Sequence, residues 1–215
     1  MPDDSLHRRD RYEVSGNIEA EYVDDAQTVL VNKRGLASLA ELQIAEEIAL
    51  ARAYEILLGE VRADTPMTCA LVRHVHERIF GELYAWAGRW RTVWIQKPGI
   101  TWPPPDFLDQ AMRDFESGTL QNYPPASLQR DADFCRGVAE IQGEFLVIHP
   151  FREGNARTIK LLTNLLAVQT GRPFLVYDQS EAGANQYIQG AQAAFKKNYT
   201  LLVEIIQRAL ATAQR

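Results

Sequence analysis

The segment 148–160, Ile-His-Pro-Phe-Arg-Glu-Gly-Asn-Ala-Arg-Thr-Ile-Lys, limits how the surrounding chain can fold. Proline has no backbone N–H and disfavours the α conformation in the residue before it, so Pro150 ends any helix that arrives at His149. Further along, apolar residues recur at helical spacing over 159–166, which predicts a helix that begins within 155–157. The segment is therefore predicted to be a turn between two helices, with His149 on the turn.

The residue types in this turn are those that phosphate chemistry requires. Gly154 precedes the predicted helix start, where free backbone N–H groups and the helix dipole favour a bound phosphate, and Arg157 and Lys160 add positive charge. Glu153 can hold Mg²⁺, which proteins bind through one or two carboxylates and substrate phosphate oxygens. His149 is suited to accept the proton of an attacking hydroxyl. The turn therefore indicates phosphoryl or nucleotidyl transfer.

Residues 149–160 resemble the signature of the Fic family, His-x-Phe-x-(Asp/Glu)-Gly-Asn-(Gly/Lys)-Arg-x-x-(Arg). Fic enzymes transfer AMP from Mg-ATP to a Ser, Thr or Tyr hydroxyl of a protein. The resemblance implies an all-α, mainly helical bundle with a small β-hairpin flap beside the active site. It also implies Mg²⁺ as cofactor and ATP as co-substrate. Outside the motif it extends loosely over about residues 20–212.

The resemblance also implies a role for each matching position. His149 would be the catalytic base, Glu153 would hold the Mg²⁺ that bridges the α- and β-phosphates, and Phe151 would anchor the loop in the core. Nucleotide and phosphate contacts are implied for Gly154, Asn155, Ala156, Arg157 and Lys160. Spacing alone offers Gln186, Tyr187 and Thr200 as candidates for contact with the base, and each equally suits an ordinary helix surface.

Two positions depart from the family signature. Ala156 replaces the usual glycine, and its methyl would restrict the backbone if φ there were positive. Doc toxins have lysine at this place and act as kinases, so phosphoryl transfer is one alternative to AMP transfer. Lys160 stands where the second arginine of the family signature meets the γ-phosphate. A lysine lacks the planar fork of a guanidinium, so we expect weaker binding of the γ-phosphate. A second alternative is a catalytically weak nucleotide-binding module that acts through protein contacts.

Apolar spacing and helix signals predict a mainly α domain of six to eight helices. Ser38 followed by Glu41 resembles a capping box for a helix over 38–58, and Thr65-Pro66 predicts the start of a helix that reaches Trp86. His74 and His76 lie two positions apart in that helix, on different faces, and are interpreted as structural or exposed. The remaining helices are predicted after Asp106, after Ser127, from 155, over 181–195 and over 198–213.

The segment 91–102 changes to strand-forming residues around the turn Lys97-Pro98-Gly99. It resembles the Fic flap, a hairpin that would bind a segment of the target protein by strand addition, which depends little on the target's sequence. The alternative is a surface hairpin whose aromatic residues are fixed to the core. The predicted target-binding residues are Thr92, Val93, Trp94, Ile95, Ile100 and Trp102.

The chain before the first predicted helix is interpreted as an arm over 1–20, followed by a single domain over 21–215. Many Fic proteins contain a Ser-x-x-x-Glu helix whose glutamate blocks the γ-phosphate site, and Ser15 and Glu19 have this spacing. Gly16 and the absence of an apolar repeat argue against a helix there. The alternative is that a separate small antitoxin supplies the blocking glutamate, as for a bacterial toxin or effector.

Composition and charge indicate which kind of molecule this protein binds and in which compartment it is found. A net charge of −5 and a pI near 5.4 argue against a broad nucleic-acid surface, and no apolar run approaches the length of a membrane helix. Cys69 and Cys135 are far apart, and the charged residues 1–13 do not resemble a signal peptide. We therefore expect a cytoplasmic protein, made to act there or after delivery into a host cell, whose partner is another protein.

Overall fold

A computed structural model describes residues 17–97 and 100–214 of the 215-residue chain. Within these residues it contains seven α-helices and one two-stranded antiparallel sheet. The helices are α1 Leu39–Glu60, α2 Cys69–Phe80, α3 Leu108–Gly118, α4 Asp131–Ile148, α5 Asn155–Gln169, α6 Glu181–Ala194 and α7 Thr200–Ala213, and the strands are β1 Gln96–Lys97 and β2 Ile100–Thr101. Short 3₁₀ turns cover Pro105–Phe107, Leu120–Asn122 and Pro125–Ser127. The predicted mainly helical fold with a small hairpin is confirmed.

The helix α4 lies at the centre of the bundle and delivers the chain to His149. It packs against α3, α5, α6 and α7, which cover its apolar sides. Phe134, Val138, Ile141 and Phe145 recur along it at helical spacing and are fully buried. The motif helix α5 packs against α4 and α2, so the turn between α4 and α5 lies against the core on one side.

The start of α2 was predicted too early and its end too late. The helix begins after Thr68, whose side chain accepts a hydrogen bond from the backbone N–H of Leu71, and it ends at Phe80. Beyond Phe80 the chain continues in turns, although Tyr84 and Trp86 remain buried. Apolar spacing therefore persisted past the true end of the helix. Ser38 precedes α1 as predicted, but its side chain makes no capping hydrogen bond.

The hairpin is shorter than predicted, and its first strand lies later in the chain. Register pairs Gln96 with Thr101 and Lys97 with Ile100, whereas 92–95 lie outside the strand. At the start of this segment the backbone is bonded elsewhere: Thr92 N–H donates to the Glu19 carboxylate, and Val93 O accepts from Arg91 Nη1. Strand formation at 92–95 was therefore a wrong prediction.

No helix in the ranges 17–97 and 100–214 combines the length and the apolar character needed to cross a bilayer.

Candidate active site

The turn that Pro150 was predicted to impose is present. His149 has φ 53° and ψ 59°, in the left-handed region, and its N–H donates to Phe145 O at 2.8 Å to close α4. Arg91, which is buried, fixes the turn from the flap side. Its N–H donates to Pro150 O at 2.8 Å and its Nε donates to His149 O at 2.9 Å. The backbone around His149 is therefore held at both ends.

The His149 imidazole is neutral and has one nitrogen free to accept a proton. Nδ1 lies 3.2 Å from Leu146 O, and because a carbonyl oxygen only accepts, Nδ1 carries the hydrogen. Burial lowers the pKa of His149 to about 4, which outweighs the raising effects of this bond and of Glu153. The Trp102 ring packs 4.2 Å from the imidazole. Nε2 is therefore the available base at neutral pH.

Asn155 closes the loop between His149 and α5. Its Oδ1 accepts the Phe151 N–H at 2.9 Å, and its Nδ2 donates to Phe151 O at 2.8 Å. Phe151 is fully buried, so both backbone groups would otherwise lack partners. The predicted anchor role of Phe151 agrees with its burial. The Asn155 side chain is bonded within the loop, and its predicted phosphate contact stays a prediction.

His76 supports the motif loop and is structural, as the sequence interpretation allowed, but its link to this loop was not predicted. Its Nδ1 accepts the Gly88 N–H at 2.9 Å, so the hydrogen is on Nε2, which donates to Glu153 O at 3.1 Å. The ring stacks on Phe151 at 3.7 Å and is fully buried. Burial lowers the pKa of His76 to about 3. A lone histidine two positions from another carried no sequence signal for this link.

Gly154 is required by both conformation and space. Its φ is 78°, and a Cβ atom at this position would lie 2.2 Å from the Phe80 ring. The glycine directly precedes α5, where the first N–H groups of the helix have no partner within the helix. These N–H groups lie where the sequence predicts an anion site, at the start of α5.

Glu153 and Arg157 form the charged part of the site. The Glu153 side chain is 49% exposed, its Oε1 accepts the Gly154 N–H at 2.8 Å, and Arg157 Nη2 lies 3.5 Å away. Arg157 Nη1 also pairs with the buried carboxylate of Glu46 at 2.7 Å, to which Tyr84 donates its hydroxyl hydrogen. Glu46 was not singled out from the sequence, because a glutamate in an ordinary helix has no distinctive signal.

The protein ligands near the start of α5 suit a metal ion that is held mainly by the phosphate oxygens of a bound nucleotide. No group of three or more His, Cys, Asp or Glu side chains in the described ranges could hold a metal ion. Glu153 offers one exposed carboxylate beside the start of α5, which fits Mg²⁺ because this ion keeps several waters and binds through few carboxylates and phosphate oxygens.

Two cavities meet at His149. The apolar cavity, of about 380 Å³, lies between the flap and α6 and is lined by Ile100, Trp102, Ala156, Tyr187, Ile188, Gln192 and other residues. The polar cavity, of about 450 Å³, contains Arg152, Glu153, Asn155, Ala156, Trp94 and Tyr22. Ala156 lies in the first turn of α5 and is not among the residues with positive φ, so its methyl causes no backbone strain. That methyl lines both cavities.

Lys160, for which the sequence predicts a phosphate contact, lines neither of the two cavities that meet at His149. Its Nζ lies 3.9 Å from the centre of the Tyr187 ring and 4.4 Å from that of Tyr177. It lines a third cavity, of about 440 Å³, between α6 and α7. Of the three candidates for base contact, Tyr187 lines the apolar cavity, Gln186 lines the third cavity and bonds to Arg208, and Thr200 is exposed at the start of α7.

The predicted flap residues divide into anchors and exposed groups. Trp102 is 7% exposed and its Nε1 donates to Leu146 O at 3.0 Å, and Val93 is also buried. Ile100 lines the apolar cavity. Trp94 is 53% exposed, and Trp94 and Ile95 line the polar cavity. Trp102 and Val93 therefore fix the flap to the core, whereas Thr92 and Trp94 are exposed and Ile95 and Ile100 are half-buried.

The segment 17–22 binds the base of the flap. Glu19 is buried, its carboxylate accepts the Thr92 N–H at 2.7 Å, and its carbonyl accepts a hydrogen bond from Arg152 Nε at 2.7 Å. Arg152 also donates to the Tyr22 hydroxyl at 2.7 Å. The predicted inhibitory pair is therefore not supported: Ser15 lies outside the described residues, and Glu19 lies in a turn with its carboxylate bonded at the flap.

Comparison with known proteins gives a consistent family and fold. Residues 66–167 match the family model described as "Fic/DOC family". "Protein adenylyltransferase VbhT" of Bartonella schoenbuchensis is 26% identical over 162 residues, which cover 70% of this chain and 31% of that protein. "Probable protein adenylyltransferase y4lH" of Sinorhizobium fredii is 26% identical over 181 residues, 84% of this chain and 90% of that protein. The chain thus spans less than a third of VbhT.

Solved structures share the fold at low sequence identity. The N-terminal FIC domain of Bep8 from Bartonella sp. 1-1C aligns with a TM-score of 0.73 and 17% identity, and covers 88% of this chain and 94% of that one. BepC from Bartonella tribocorum, solved with bound AMPPNP, aligns with a TM-score of 0.70 and 16% identity over 90% of this chain and 97% of that one. Both are described as VirB-translocated Bartonella effector proteins.

Proposed function

Because residues 66–167 match the family model described as Fic/DOC, we propose that this chain is a protein adenylyltransferase, which moves AMP from ATP to a hydroxyl group of a target protein. The adenylyltransferase names of VbhT and of the Sinorhizobium protein support the reaction, and AMPPNP bound to BepC supports the co-substrate. The observation that carries the proposal is the neutral His149 next to an open phosphate site. Its free Nε2 shares a cavity with Glu153 and the start of α5.

In the proposed reaction, His149 Nε2 takes the proton of the target hydroxyl as its oxygen attacks the α-phosphorus. A new P–O bond forms to the target, the bond between the α-phosphorus and the bridging oxygen breaks, and pyrophosphate leaves. The hydroxyl belongs to a Ser, Thr or Tyr residue of the target. A base in position contributes about a hundredfold to ten-thousandfold in rate.

The remaining residues of the motif bind and orient ATP. The apolar cavity suits the adenine base of ATP. The N–H groups at the start of α5, together with Arg157, suit its phosphates. Glu153 would hold Mg²⁺, which would neutralise phosphate charge. Gly154 lets the chain pass close to Phe80, and Asn155 keeps the loop in one conformation.

The target protein is proposed to bind at the flap. The outer residues Trp94 and Ile95 line the cavity that contains His149, so a segment that lies along them would bring its hydroxyl towards Nε2. The short hairpin offers backbone groups for strand addition. We propose further that restraint comes from a separate chain, because the carboxylate of Glu19 is bonded at the flap.

The test is incubation of the purified chain with Mg²⁺ and ATP labelled on the α- or the γ-phosphate, with and without cell lysate. The matched variants are His149→Ala and, as control, His74→Ala, since His74 is an exposed histidine that pairs with Glu60 on the surface of α2. We expect protein labelled from the α-phosphate only, with loss in His149→Ala and not in His74→Ala.

Other outcomes would identify the alternatives. Label from the γ-phosphate alone would mean kinase chemistry with ATP bound in the reverse direction. Neither label, with ATP binding shown by calorimetry, would indicate a nucleotide-binding module. An unchanged rate in His149→Ala would remove His149 from the mechanism.

A further inference from the structure

Lys160 occupies a corner formed by two aromatic rings. Its Nζ lies over the faces of Tyr187 at 3.9 Å and Tyr177 at 4.4 Å, and the two rings meet edge to face at 83°. Burial alone lowers the pKa of Lys160 to about 8. An ammonium group over a ring face is attracted by the negative charge of the π system. The ammonium group is therefore bound by Tyr187 and Tyr177.

A buried amide holds both rings in place. Gln142 on α4 is fully buried, and its Nε2 donates to the Tyr177 hydroxyl at 2.7 Å. Its Oε1 accepts from the Tyr187 hydroxyl at 2.9 Å. Thr163 on α5 accepts from the same Nε2 at 2.8 Å. The hydroxyl ends of the tyrosines are thus fixed, and Lys160 packs against a face of each ring.

Tyr187 is a wall of two cavities. It lines the third cavity together with Lys160, and it lines the apolar cavity together with His149 and Ala156. Its helix, α6, packs against α4 and α7. Lys160 extends from the motif helix α5 to this wall. The lysine therefore links the helix that carries the phosphate site to the helix that forms the side of the apolar cavity.

We propose that Lys160 is a positioning residue for the base of the nucleotide, which it affects through Tyr187, and that it does not contact the γ-phosphate. The proposal rests on the proposed function, because it takes the base to enter the apolar cavity. It replaces the role that the second cation of the motif was predicted to have. ATP, ADP and AMP share the base, so Lys160 would contribute equally to the affinity for all three.

The experiment compares ligands that separate the base from the phosphates. Binding of ATP, ADP, AMP and tripolyphosphate is measured by calorimetry for the unchanged chain and for Lys160→Met, which keeps the length of the side chain and removes its charge. We expect about a fivefold loss of affinity for ATP, ADP and AMP alike, because the Tyr187 ring would no longer be held in place as a wall of the apolar cavity, and no change for tripolyphosphate. A loss confined to ATP and tripolyphosphate would overturn the proposal and restore the γ-phosphate contact.

Two further variants keep the test decisive. Lys160→Arg retains a cation over the rings and is expected to restore the affinity for AMP. Tyr187→Leu removes the ring and is expected to give the same equal loss for the three nucleotides, and it carries the test if Lys160→Met does not fold. No change for any ligand in Lys160→Met and Tyr187→Leu would overturn the proposal. If the unchanged chain binds none of the nucleotides, the proposed function is overturned as well. A loss confined to ATP and tripolyphosphate would overturn only the role of Lys160 and leave that function intact.

Discussion

The motif turn, 149–157, contains His149, and the flap, 91–102, contacts that residue through Arg91 and Trp102, yet the two segments are built in different ways. Buried bonds hold the turn in one conformation: Asn155 closes it and His76 supports it. The outer part of the flap has two residue pairs in its sheet and an exposed Trp94. If the proposed function holds, the reaction depends on a rigid backbone around His149, whereas binding of the target depends on accessible backbone and side chains of the flap.

The largest effect is expected at the turn, from Gly154→Ala. An alanine here would have to adopt a left-handed backbone conformation, and its Cβ would overlap the Phe80 ring. We therefore expect the unfolding free energy to fall by about 3 kcal/mol and AMP transfer to be lost. Gly171→Ala is the matched control, since Gly171 has φ 75° and open space around it. Urea unfolding of both variants is the measurement. Equal losses in the two variants would show that the contact with Phe80 has no cost.

The next effect is expected from Asn155→Ala, which leaves two buried backbone groups of Phe151 without partners. We expect about 2 kcal/mol of lost unfolding free energy and at least a tenfold loss of transfer rate. Asn155→Asp keeps the oxygen that accepts the Phe151 N–H and should retain part of the stability. Full activity in Asn155→Ala would mean that the turn does not need this closure.

The pH dependence should reflect the burial of the turn. Burial lowers the pKa of His149 to about 4, and only the neutral imidazole accepts a proton, so the base limb of kcat/KM should fall on acidification near pH 4 and be flat at neutral pH. A base limb centred near 6.5 would contradict the burial of His149.

The stability of the protein should also depend on pH, through His76. For His76 the folded pKa of about 3 lies below the unfolded value of 6.5. The folded state then binds fewer protons, and stability should fall as pH decreases from about 6.5 towards 3.

In the flap, Trp94→Ser should change target labelling and Trp102→Phe should change stability. Trp94 is exposed, so its replacement should change the unfolding free energy by less than about 0.5 kcal/mol while target labelling falls. Trp102 packs on His149 and donates to Leu146 O, so its replacement should lower stability by about 1 kcal/mol. Thermal unfolding and lysate labelling measure the two effects. A stability loss at Trp94 would remove the contrast within the flap.

The smallest effect is expected from Glu19→Gly. The Thr92 N–H would lose its acceptor, and we expect about a twofold decrease in target labelling, because the base of the flap is still held by Arg91. The inhibitory interpretation of Glu19 predicts a several-fold increase in activity instead. Initial rates with a fixed target distinguish the two directions.

The turn could be predicted from the sequence because each of its constraints is local. Pro150 ends a helix at His149, and Gly154 precedes the next helix, and both effects act within one or two residues. The fold class followed from apolar spacing, which is averaged over whole helices. Helix ends were less accurate, as at α2, because Tyr84 and Trp86 are buried in turns and continue the apolar pattern.

The supporting residues could not be predicted because their partners are distant in sequence. His76 bonds to Glu153, and Glu46 bonds to Arg157, across long stretches of chain. Lys160 matched the family signature by position, yet its side chain contacts Tyr177 and Tyr187, which only the packing of α5 near α6 determines. Glu19 had the spacing of an inhibitory motif, and the bond to Thr92 depends on where the flap begins.

Arg91 has a consequence for how such a protein can diverge. Its guanidinium bonds to the carbonyls of His149, Val93 and Pro103, so one side chain ties both ends of the flap to the turn that carries the base. Residues between these ends that make no contact with His149, such as the exposed Trp94, can then be replaced over evolutionary time without moving His149. Under the proposed function, the choice of target protein can therefore change by mutation of the outer flap while the reaction stays the same.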